Sequence, residues 1–183
     1  MMSIVISGNP GTGKHTIAQQ IAQKLNLSII DINQVAKSGE LFEKNDDTND
    51  VDPEKLKKIL QNKISEKNLI VGHLAPYVLD KSQVKIMIIL RRDPYELVSV
   101  YKKRKYTDKK IKENVGSEVL GIIAHDARSK FHEKMFQINN SGKSIEDEVE
   151  KVMSLISGDK ASEEVDWLDL VTKNNDLEKF FGD

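Results

Sequence analysis

Near the start of the chain, Gly8-Asn9-Pro10-Gly11-Thr12-Gly13-Lys14 has the spacing G-x-x-x-x-G-K. The glycines Gly8, Gly11 and Gly13, with Thr12 between the last two, let backbone N–H groups turn inward around a phosphate. Lys14 adds a point charge for the β- and γ-phosphates. The same residues would also make an ordinary turn, so context decides. Residues 3–7 (SIVIS) are apolar and β-branched, which predicts a strand ending at the loop. Beyond Lys14, Ile17, Ile21 and Leu25 recur at four-residue spacing, which predicts a helix beginning there. A helix N-terminus then adds its positive end to the phosphate site.

One position departs from the pattern. A Ser or Thr hydroxyl for Mg²⁺ is expected after the lysine, but His15 stands there, followed by Thr16. Neutral imidazole is a poor ligand for Mg²⁺. The Mg²⁺ that accompanies ATP is therefore held through water, by Thr16, or elsewhere. Asp31 ends a second predicted strand, 27–31, where it holds metal-bound water or the acceptor, or caps the next helix. His73 follows a third strand, 69–72; on the residues alone it is equally a structural histidine. Arg91 leaves the end of a fourth strand, 84–90, and Arg104 lies in the basic run 101–112. Such a run is commonly a solvated face. Phosphoryl transfer, however, needs positive charge around three oxygens and exclusion of water. Guanidinium groups bind phosphate in a bidentate way, so Arg91 and Arg104 are expected to stabilise the transferred group.

The remaining elements must position these side chains. Residues 84–90 (VKIMIIL) are apolar almost throughout, as a parallel strand covered on both faces would be. Residues 135–138 predict a fifth strand. Pro53 opens a helix to about residue 67, and Asp93-Pro94 opens another to about 105. Thr107 caps a helix whose stripe runs Ile111, Val115, Val119, Ile122 and Ile123. Residues 144–156 are amphipathic, and a tail helix at 163–180 carries Trp167, expected to pack it onto the core. Residues 33–52 read as polar, with an acidic run at Asp46, Asp47 and Asp50, either a solvated loop or a contact for a basic partner. Strands alternating with helices imply right-handed crossovers and a five-stranded parallel sheet, an α/β P-loop NTPase fold with helices on both faces. Ligands bind such sheets at the carboxyl ends of the strands, where the candidate residues cluster.

Composition narrows the function. The 183 residues suit one domain, and 28 basic against 29 acidic residues exclude a simple polybasic nucleic-acid binder. No direct sequence-specific DNA binding is expected. The absence of cysteine excludes thiolate metal sites and cysteine nucleophiles. No run approaches the ~20 apolar residues that span a bilayer, so no membrane role and a cytoplasmic location are expected. The switch and guanine-reading motifs of GTPases do not occur, and neither predicted strand at 69–72 or 84–90 ends in the Asp or Asp-Glu of motor ATPases.

Assembled, these residues resemble the adenylate kinase isoenzyme 6 family in its archaeal form. GNPGTGKHT resembles its phosphate loop, VGHLAPYV its histidine motif and ILRRDPYEL its fourth strand and following helix. RKYTDKKIKENVGSEVL resembles its lid and post-lid helix, with Glu-Asn-x-x-x-Glu, INNSGKSIEDEV its last strand and helix, and VDWLDL its tail. The resemblance implies one P-loop nucleoside-monophosphate-kinase-like domain over 1–183. It carries a monophosphate-binding segment at about 31–54, a lid at about 103–113 and a C-terminal tail helix at about 163–180. It also implies that Gly11, Gly13, Lys14, His15 and Thr16 meet the ATP phosphates, that Arg104 contacts ATP, and that His73 serves ATP hydrolysis. The implied reaction is ATP + AMP = 2 ADP. An ATPase role in small-ribosomal-subunit maturation, with a small-subunit protein as partner, is implied beside it. A switch with little kinase activity and a kinase for another small acceptor are the alternatives. Three positions depart from the family: Val71 replaces an Asp, Lys105 replaces the Gly of Arg-Gly-Tyr, and Val100 replaces a second arginine. The first turns attention to Asp31 as the metal-ordering carboxylate.

Overall fold

The computed structural model describes residues 2–39, 41–44 and 49–182. Five strands form one parallel sheet: β1 (Ser3–Ser7), β2 (Ser28–Asp31), β5 (Asn68–Val71), β6 (Val84–Arg91) and β7 (Met135–Asn139). Their order is β2-β5-β1-β6-β7, so the phosphate-loop strand is central. A separate antiparallel pair, β3 (Phe42–Lys44) and β4 (Asn49–Val51), lies in the segment expected to bind the monophosphate. Residues Asp46 and Asp47 of the acidic run lie outside the described residues.

The period of two along each strand divides the core into two layers. Val5, Ile70, Met87 and Ile89 face one side, packed with α3 (Pro53–Gln61), α4 (Ala75–Val78) and α7 (Ile122–Phe131). Ile4, Ile6, Leu69, Ile88 and Leu90 face the other, against α1 (Lys14–Leu25) and α8 (Ile145–Ser157). Both faces of β6 are covered, which is why its sequence lacks alternation. A third apolar cluster lies beside the sheet. It joins α5 (Pro94–Lys103) and α6 (Asp108–Val119) to Val171 of α9 (Trp167–Lys173) and Phe180 of α10 (Leu177–Phe181).

Local chemistry sets several element starts. The Asp93 carboxylate accepts the Tyr95 N–H at 2.7 Å, and Pro94 occupies the first turn. Thr107 caps α6 through the Lys110 N–H. The long helix expected beyond Thr107 is two helices, broken at Gly121, whose φ of 64° ends the first and caps the second. The expected single tail helix is also two short ones, α9 and α10, and residues 163–166 before them are not helical. A helix absent from the sequence reading, α2 (Ile32–Ser38), follows β2 directly.

Among the described residues, no helix is long and apolar enough to cross a membrane.

Candidate active site

The carboxyl ends of the strands meet at the loop after β1. Asp31 pairs in register with Val71, and the Ser7 hydroxyl donates to the Gly72 carbonyl at 2.8 Å, which fixes β1 beside the His73 turn. Gly8 has φ 139°, and a Cβ there would lie 2.4 Å from the Leu90 carbonyl oxygen, so only glycine lets the loop leave against β6. Gly13 has φ 87° and forms the N-cap of α1, directing the loop amides and the helix end to one point.

A cavity of about 870 Å³ opens there. Its floor is the loop, with Lys14, His15 and Thr16. The rest of its lining comes from two parts of the chain, Asn33, Val51 and His73 from one and Arg104, Tyr106 and Asn114 from the other. The structure thus brings Gly11, Gly13, Lys14, His15, Thr16, His73 and Arg104 to one cavity. Gly8 and Thr12 lie behind it. The buried Thr12 hydroxyl donates to the Asn9 carbonyl at 2.9 Å and so shapes the loop from within.

Lys14 is 4% exposed, and its ammonium donates to the Asn9 carbonyl at 3.2 Å. Burial, then the Arg104 charge, pushes its pKa down to about 8, while Asp31 and Glu118 pull the other way. The site is therefore a concentrated positive field in want of an anion. His73 is held down to about 4, first by burial and then by the Lys14 charge, so its imidazole is neutral near pH 7. Tyr101 stacks on Tyr106 with centroids 5.4 Å apart, and its hydroxyl donates to the Pro10 carbonyl at 2.5 Å. The basic turn is thereby braced against the loop.

Asp31 caps the next helix, one of the two roles expected of it, and also meets His15, which was not expected. Its Oδ1 caps α2 through the N–H groups of Asn33 and Gln34, at 2.9 and 3.3 Å. Its Oδ2 meets His15 Nε2 at 3.0 Å. Burial works to raise the carboxyl pKa, but the His15 contact and the two amides outweigh it and hold the group below its ordinary value. An ionised carboxylate and the Thr16 hydroxyl are hard oxygen donors. Among the described residues no three His, Cys, Asp or Glu side chains gather into a metal cage. Mg²⁺ in phosphoryl-transfer sites takes one or two carboxylates and fills its shell with phosphate oxygens and water, so donors of this chemistry fit it; Thr16 lines the cavity, whereas Asp31 does not line it and meets it through His15.

Arg91 is a correction. It was expected beside the transferred phosphoryl group, but its guanidinium is buried and turned away from the cavity. Nε donates to Glu118 Oε1 at 2.7 Å, and the other nitrogens to the Glu118 carbonyl and Gln137. The period of two explains it: Arg91 shares parity with Met87 and Ile89, so it points under the α6–α7 junction, against Gly121. Arg92 touches the loop instead, donating to the Gly11 carbonyl at 3.1 Å. Sequence reading passed over Arg92, Tyr101 and Asn9. Glu118, also unassigned, had one signal, its place in the Glu-Asn-x-x-x-Glu motif.

A family model described as an AAA domain matches residues 4–121. A Methanosarcina barkeri protein named "Putative adenylate kinase" is 34% identical over 187 aligned positions, covering 93% of this chain and 100% of that one. The chain belongs to this family. A Thermococcus onnurineus protein of the same name is 31% identical, covering 91% of each chain. Among solved structures, shikimate kinase from Acinetobacter baumannii superposes with a TM-score of 0.60 at 20% identity, covering 88% of this chain and 96% of that one. A gluconokinase from Sinorhizobium meliloti superposes with a TM-score of 0.58 at 14% identity, covering 85% and 91%. At these identities the likeness establishes the P-loop kinase fold.

Proposed function

We propose that the protein is a nucleotide kinase that transfers the γ-phosphoryl group of ATP to AMP, giving two ADP. The observation that carries this reading is one cavity lined by the phosphate loop, by residues of the segment expected to bind the monophosphate and by residues of the basic turn. The loop amides and Lys14 take the donor phosphates, Arg104 and Tyr106 form the lid side, and Asn33, Val51 and His73 form the acceptor side. The names of the family relatives support AMP as the acceptor.

In the proposed step an AMP phosphate oxygen attacks the γ-phosphorus as the bond to the β–γ bridging oxygen breaks. ADP leaves, and no covalent enzyme intermediate forms. Lys14 and Arg104 balance the charge on the phosphoryl oxygens. Bound Mg²⁺ would screen the phosphates, with Asp31 and Thr16 as its protein oxygens. His73, neutral near pH 7, orients groups beside Lys14 without adding charge.

The test is ADP formation from ATP and Mg²⁺ with AMP, CMP, GMP, UMP or no acceptor. The expected result is formation that depends on AMP and is lost in Lys14→Met. Preference for another monophosphate would replace the acceptor and keep the reaction class. Slow hydrolysis indifferent to any acceptor would instead favour the nucleotide-switched assembly factor, and binding to small-ribosomal-subunit proteins would then be the next assay.

A further inference from the structure

Behind the cavity lies a buried carboxylate that the proposed reaction does not use. Glu118 is 1% exposed, yet it is enclosed by donors from across the fold. Its Oε1 accepts Arg91 Nε at 2.7 Å, the Arg92 backbone N–H at 3.1 Å and the indole N–H of Trp167 at 3.0 Å. Its Oε2 accepts the Asn9 carboxamide at 2.6 Å. The neighbouring Ser117 hydroxyl donates to the other side of that carboxamide at 3.2 Å. Asn9 in turn offers its backbone carbonyl to the Lys14 ammonium at 3.2 Å and to the Thr12 hydroxyl at 2.9 Å. A continuous chain of hydrogen bonds therefore runs from Trp167 through Glu118 and Asn9 to the phosphate-binding lysine.

A buried ion pair is a costly way to fill space, since apolar side chains of similar volume are commonly as stable. What an apolar core could not do here is fix the orientation of the Asn9 peptide, the unit that holds Lys14 in place. The tail supplies the last donor from beyond residue 121, where the family match ends. Its two helices are anchored independently on α5 and α6. Val171 and Phe180 enter the third apolar cluster, and the Tyr95 hydroxyl donates to Asp176 at 2.7 Å.

We propose that Glu118 is a positioning residue for the phosphate loop, and that the C-terminal tail sets nucleotide affinity through the Trp167–Glu118–Asn9–Lys14 chain. The inference rests on the reading that the loop binds ATP. Coupling is reciprocal in free energy, so if tail docking strengthens ATP binding, ATP binding strengthens tail docking by the same factor.

Trp167 is the chain's sole tryptophan, so its emission reports this directly in the full-length protein. Titration with ATP and Mg²⁺ is expected to shift the emission in step with binding followed by calorimetry. Trp167→Phe keeps a ring in the same space and removes the N–H. At a temperature well below its unfolding transition it is expected to weaken ATP binding about 3–10-fold, the range for the net contribution of one ordinary hydrogen bond. Asn9→Ala is expected to weaken it further. The double variant is expected to lose less than the product of the two single losses, because both act through one carboxylate. A purely structural tail would lower the melting temperature and leave the ATP dissociation constant alone. Calorimetric binding with no emission change, an unchanged dissociation constant in Trp167→Phe, or losses that multiply would each overturn the inference alone. Absence of ATP binding to the unaltered protein would overturn the kinase reading as well.

Discussion

Lys14 carries a charge that the fold holds against its preference. Its pKa is lowered to about 8, chiefly by burial, so the ammonium is destabilising until a phosphate arrives. Lys14→Met is therefore expected to raise the melting temperature of the nucleotide-free protein at pH 7, by about 2–4 °C for each kcal/mol recovered. The same variant should lower ATP turnover at least about 100-fold. Thermal melts beside rate assays check the pair. His73 gives a pH dependence of known sign. With its pKa lowered to about 4, the unfolded chain takes up a proton between pH 6.5 and 4 that the native imidazole refuses. Its contribution is present above about pH 6.5 and lost as the pH falls toward 4. Melting curves across this range should show the midpoint falling on acidification, and His73→Asn should reduce the fall by a few degrees. Lys14 and its neighbours were legible because their spacing is local. Arg91 was misread because strand parity, rather than position at a strand end, decides where a side chain points. Glu118 escaped assignment because its partners Asn9 and Trp167 lie 109 and 49 residues away in sequence.

At the scale of elements, the turn between α5 and α6 holds a backbone feature that the sequence comparison foreshadowed. Lys105 stands where the resembled family has glycine, and its φ is +57°, in the left-handed region. A side chain there costs about 1–2 kcal/mol. Lys105→Gly, which also frees the unfolded chain, is expected to stabilise the protein by about 1 kcal/mol, read as a higher melting midpoint. The strands of the main sheet were legible almost to the residue, because short apolar runs bounded by glycine or charge leave little latitude. Helix α2 was not. It has seven residues, and Ile32 and Ala36 are its only buried positions, too few to declare a helical period against a polar background. The break at Gly121 was hidden for the opposite reason: the apolar stripe continues across it from Val119 to Ile123. The glycine is required by the bend and by the Arg91 guanidinium packed against it.

For the molecule as a whole, the adjacent strands β1, β5 and β2 bring loop, histidine and carboxylate to one edge of the sheet. The basic turn and α6 supply the rest of the cavity's lining. The division of labour was legible in outline from alternating strands and helices. The placement of the tail was not, because its apolar residues could have met any face of the fold. Their docking on α5 and α6 links the tail to both the loop and the lid side. In the proposed reaction the γ-phosphoryl group passes to a nucleotide and not to water. The most direct measurement is the fate of labelled γ-phosphate when ATP, AMP and Mg²⁺ are incubated with the protein. Label is expected in the β-position of ADP, with Lys14→Met inactive. Label released chiefly as inorganic phosphate, at a rate indifferent to AMP, would contradict it.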